Sequence, residues 1–93
     1  MDWFTNPKQN EVKKLITQLA DASRRNAAAQ ELIRLGADSA APLIDALQTQ
    51  DLNLLAIYQH ILARIPAASP ELTKALKSAH PIIRGRVAEV FGL

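Results

Sequence analysis

The sequence contains no cysteine. That absence excludes a disulfide framework, thiolate zinc sites and cysteine nucleophiles, and it fits a reducing compartment. Aromatic residues are scarce, with one Trp, one Tyr and two Phe. An interior must therefore be filled by Leu, Ile, Val and Ala, a choice suited to closely approaching helices. No apolar run nears the roughly 18 residues that span a bilayer, and the first residues lack the basic-then-apolar layout of a secretory signal. A soluble cytoplasmic protein with no membrane partner is the expectation. Charge of one sign is missing too: eleven basic and nine acidic residues leave +2, and the pI near 9.3 reflects that small surplus rather than a basic face. At 93 residues the chain is one domain, near the small end of what buries its own core.

What is present is an internal repeat. The stretch LIDALQTQDLNLLAIYQHILARIP, residues 43–66, has apolar residues at helix spacing on both sides of a polar break at residues 48–53. Asp51 is placed there to accept from the free amides of the next helix. The unit is two antiparallel helices and a short turn, and neither helix buries its stripe alone. Its flanks repeat it. Leu15, Leu43 and Leu72 form one series, Leu19, Leu47 and Leu76 a second, and Leu32, Leu62 and Phe91 a third. A period of 28 to 30 residues belongs to stacked helical hairpins, so the expected fold is an all-α solenoid of about three hairpins and six helices. The units are roughly 7–36, 37–66 and 67–93, or the same helices paired with an offset of one.

In chain order, Asn6 and Pro7 open the first helix, with Gln9 reaching back in a capping box and Trp3 and Phe4 covering the end of the stack. That helix runs to about residue 20, with Val12, Leu15, Ile16 and Leu19 inward. The second covers about residues 23–35 and stops at Gly36 in a left-handed turn. Asp38 or Ser39 caps a third, which places Pro42 in its first turn and its end near residue 48. A fourth spans about 51–65, a fifth opens at Ser69-Pro70-Glu71 and ends near 78, and a sixth opens at His80-Pro81.

Ala29, Leu32, Leu35-Gly36, Pro42-Leu43 and Leu47, and later Leu76, Ile83-Arg84, Ala88 and Phe91, resemble HEAT repeats, in particular the short variety of phycobilisome lyase-type proteins. The resemblance covers most of the chain from Leu15 onward, and its residues are mostly packing residues, so it speaks for fold more than function. HEAT repeats commonly carry an Asp in the turn and an Arg opening the next helix. Here those positions read Asp21, Thr49, Ser78 and Arg25, Leu55, Arg84, so the ladder is broken in the central unit. Gln59 replaces the small residue seen as Ala29 and Ala88. The resemblance implies a non-catalytic protein–protein scaffold or adaptor, the N-terminal part of a longer array. A fragment of a bilin-lyase-type protein acting on antenna proteins is the alternative.

Outward positions of the first helices form a mixed polar strip that is the candidate partner-binding surface: Thr17, Asp45 and Lys74 in one row, Ala20, Gln48 and Lys77 in the next, with Lys13 and Lys14 nearby. Phe91 joins the candidates: further repeats or a partner are expected to cover Ile82, Val90 and Phe91, and Val90, Phe91 and Leu93, where left uncovered, favour self-association or a partner. Catalytic chemistry finds no footing. His60 and His80 have no partner at ligand or proton-transfer spacing, neither begins the His-Glu pair of a HEAT-repeat metal oxygenase, and the serines at 23, 39, 69 and 78 read as helix caps. No cofactor or metal is expected. A nucleic-acid-binding module is the weakest alternative, since the arginines are interleaved with acids and form no aligned stripe.

Overall fold

The computed structural model describes residues 7–93. Among these there are six α-helices and no strand: α1 (Pro7–Gln18), α2 (Arg25–Leu35), α3 (Ala37–Ala46), α4 (Leu52–Ala63), α5 (Ser69–Ala75) and α6 (Pro81–Phe91), with one 3₁₀ turn, Pro66–Ala68, ahead of α5. The roles expected of Trp3, Phe4 and Asn6 lie outside the described residues.

Each helix start has a local cause, and several differ from the expected one. Asp51 caps α4 as its position implies, its Oδ1 accepting from the amides of Asn53 (2.9 Å) and Leu54 (3.1 Å). At α6 the cap is not the His80 side chain; the Ser78 hydroxyl accepts the His80 amide (3.1 Å) and Pro81 occupies the first turn. Neither Asp38 nor Ser39 caps α3, because the helix begins at Ala37, directly after Gly36. Gly36 has φ 63° and ψ −123°, a positive-φ conformation outside the left-handed helical well, and its amide donates to the carbonyls of Leu32 and Ile33. The earlier start makes Pro42 the sixth residue of α3, past its first turn, so the ring removes an internal amide rather than a free one. Ser39 is fully buried, and its hydroxyl donates to the Leu32 carbonyl (2.8 Å), tying α3 to the end of α2. Ser69 is likewise no cap, since α5 continues directly from the 3₁₀ turn.

Helix α3 lies at the centre and packs against each of the other five. Ala40, Leu43 and Leu47 of this segment are fully buried. Around it the principal contacts run α1 to α2 and α3, α2 to α4, α3 to α5, α4 to α6 and α5 to α6; none of them joins the first helix pair directly to the last. The core comprises Val12 and Leu19, Ala28 and Leu32, Leu43 and Leu47, Tyr58, Ile61 and Leu62, Leu72, and Ile83, Val87 and Val90. One repeat position departs from the burial of its counterparts, and another is uncovered as expected at the last helix. Leu76 is 39% exposed where Leu19 and Leu47 are fully buried, and Phe91 is 51% exposed where Leu32 and Leu62 are inside.

Arginines hold the turns that follow α1, α3 and α5. Arg25 Nε donates to the Leu19 carbonyl (2.8 Å), and Arg84 donates to the Ser78 carbonyl (2.7 Å), each six residues back. The matching position in the central unit is Leu55, which is buried in the core. Arg86 of α6 supplies the missing donor from outside, bonding the carbonyls of Thr49 (2.6 Å) and Leu47. Gln59 extends this link: its amide group donates to the Arg86 carbonyl (3.1 Å) and to Glu89 (2.8 Å), so its larger side chain fastens α4 to α6.

Candidate docking face

Since α3 packs on α1 along one side and α5 along another, the outer positions of these helices border two grooves that share one residue. The first, about 360 Å³, is lined by Lys13, Ile16 and Thr17 of α1 and by Pro42, Asp45 and Ala46 of α3. The second, about 480 Å³, lies between α3, α5 and the start of α6. Ala41, Ile44, Ala75 and Ile83 give it an apolar lining, and Asp45, Glu71, Lys74, Lys77, Ser78 and His80 surround them. Asp45 belongs to both. Helical periodicity explains the arrangement: Lys13 and Thr17 are four residues apart on α1, and Glu71, Lys74 and Ser78 advance by three and four from α5 into its turn.

The charges of this face are not consumed internally. The ion pairs among the described residues join Asp21 to Arg24 (3.8 Å) and Glu31 to Arg34, both elsewhere, and no hydrogen bond or ion pair holds the side chains of Lys13, Asp45, Lys74 or Lys77. Opposite charges fixed in register are what gives a docking surface its selectivity. Here lysines flank a central carboxylate. Thr17 turns inward on its own helix, its hydroxyl donating to the Lys13 carbonyl (3.0 Å). Ser78 is occupied by the His80 amide, and no side-chain hydrogen bond connects it with the His80 imidazole, Asp45 or Glu71. Among the described residues no group of three or more His, Asp or Glu converges as a metal site.

The structure thus brings together Lys13, Thr17, Asp45, Lys74 and Lys77 from the expected strip. Gln48 and Ala20 are exposed but line neither groove. Glu71, His80 and Ile83 join the face without having been expected there; the helical period of α5 points to Glu71, whereas His80 and Ile83 enter only because α6 folds back beside α5. Phe91 sits apart, in a cavity of about 230 Å³ with Leu62, Ile65, Pro66, Leu72, Val90 and Leu93. Of Val90, Phe91 and Leu93, expected to form one uncovered patch, Phe91 and Leu93 are exposed (51% and 59%) and line this cavity together. Val90 is buried, and Ile82 projects from the side of α6 opposite Phe91, half a turn away in helical phase.

The shifted titrations lie away from this face. Asp21 is held below the usual carboxylate range, first by the Ser23 hydroxyl and then by the Ser23 amide; Glu31 is lowered by its hydrogen bonds from Arg34. Burial pushes the Tyr58 phenol up, and the nearby Asp51 charge adds to it.

No helix among the described residues is long and apolar enough to cross a membrane. No family model, curated protein or solved structure matches the chain.

Proposed function

We propose that the chain is a non-catalytic protein-binding scaffold, a helical solenoid of HEAT-like repeats whose α1–α3–α5 face takes a segment of a partner protein. The solenoid reading is supported by the order of contacts, in which each helix pair meets the next through α3 and α4, and by the recurrence of an arginine-held turn at Leu19, Thr49 and Ser78. The observation that carries the binding reading is the pair of grooves sharing Asp45, because a segment crossing α3 meets a lysine, a carboxylate and two lysines in turn. The partner fitting this order has a basic residue over Asp45 and acidic residues on either side, with apolar side chains entering the groove beside Ile44 and Ile83.

Peptide-display selection against the immobilised protein tests this. Enriched sequences are expected to carry an acid–base–acid pattern and to lose affinity about tenfold on an Asp45→Lys variant. Sequences without that pattern, or with affinity unchanged on Asp45→Lys and on Lys74→Glu/Lys77→Glu, overturn the proposal.

A further inference from the structure

The second layer of helices carries a different groove. Between α2 and α4 lies a cleft of about 300 Å³ lined by Arg25, Asn26, Ala29 and Ile33 of the one and by Ala56, Ile57, His60, Ile61 and Arg64 of the other and its end. We propose that this groove is a second docking site and that it takes an acidic amphipathic helix from a partner protein. It is independent of the α1–α3–α5 face and shares no lining residue with it.

The first support is charge. No carboxylate lines the groove, and α4 has none in its sequence. The acids nearest in sequence are already engaged: Asp51 caps α4, Glu31 of α2 is paired with Arg34, and Asp21 accepts from Ser23. Arg25 is fixed in place because its Nε donates to the Leu19 carbonyl, leaving the two terminal guanidinium nitrogens for a ligand. Arg64, exposed near the other end, has no ion-pair partner. An anion at each end is therefore complementary.

The second support is shape. Ala29 and Ile33 stand four residues apart on α2 and line the groove together with Ile57 and Ile61 of α4, so an apolar floor lies between the two helices. An apolar ridge at helical spacing seats on such a floor, and acidic residues on its flanks reach the arginines. Nucleic acid fits less well, since a phosphate backbone leaves this floor uncovered and no Phe, Tyr or Trp lines the groove to stack a base. Strand addition has no edge to extend, because the described residues contain no strand.

The probe is a synthetic helix of about 16 residues with Leu at helical spacing and Glu on both flanks, compared with its Lys-for-Glu counterpart. Each is titrated into the ¹⁵N-labelled chain at roughly 50 and 300 mM salt. The Glu peptide is expected to shift amides of α2 and α4, to weaken with salt, and to lose about tenfold in affinity on Arg64→Glu but little on Arg64→Lys. Because Arg64 is exposed, a circular-dichroism melt of Arg64→Glu should match the parent. Equal binding of both peptides, shifts confined to α1, α3 and α5, displacement by a short DNA duplex, or no shift up to millimolar peptide each overturn the proposal. Failure here leaves the Asp45 face untouched, since the two readouts fall on different helices.

Discussion

Leu47 and Leu76 occupy the same repeat position but contribute unequally. Leu47 is enclosed by the helices that meet on α3, and truncating it to Ala opens a cavity that neighbours fill only in part. The expected loss is on the order of 2 to 5 kcal/mol by urea denaturation, against less than about 1 kcal/mol for Leu76→Ala, which already stands 39% in solvent. Equal losses contradict the account of the core. Asp21 provides a pH test. Its folded-state pKa is depressed by two hydrogen bonds from Ser23, so its contribution is complete above the unfolded value of about 3.9 and disappears as pH falls through the folded value. The urea-midpoint difference between the parent and Asp21→Asn should be present near about pH 7 and shrink as pH falls through the folded value. A difference unchanged at the lower pH means the carboxylate charge is not what the turn uses.

Between elements, the least replaceable contact joins α6 to the turn after α3. Arg86 satisfies two carbonyls of that turn at once, where the following helix offers no arginine of its own because Leu55 stands at that position and faces the core. Arg86→Ala should cost on the order of 1 to 3 kcal/mol, and Arg86→Lys should recover only part of it, as both bonds come from one terminal guanidinium nitrogen whose reach and plane a shorter, strongly hydrated ammonium does not reproduce. Full recovery by Lys would mean that charge alone matters. The helices and most of their buried stripe were legible in the sequence: the leucine series and the Asp51 cap require only local spacing. The role of Arg86 was not, since its partners lie 37 and 39 residues away. Ser39 misled for a related reason. A serine near a helix start reads as a cap, and only the packing of α3 on α2 turns its hydroxyl to Leu32 instead. Leu76 was expected inside because periodicity gives the phase of a residue on its helix, not whether another helix lies against it.

At the scale of the molecule, the other five short helices of the described residues are arranged about α3 in a body of 34 × 31 × 24 Å. None is long enough to be stable alone, so the outer faces keep their geometry only while the pairs stay packed. That is why the proposed binding face over α1, α3 and α5 depends on the inner core centred on Leu43 and Leu47: core packing sets the spacing between Lys13, Asp45 and Lys77. The most direct test is a charge-swap titration using a peptide with a basic residue between acids and a second with the base replaced by Glu, each against the parent and Asp45→Lys. The account predicts a crossover, with the first preferring the parent and the second preferring the variant by about tenfold each way. If both peptides bind both proteins alike, Asp45 does not select the partner and the docking face has been misplaced.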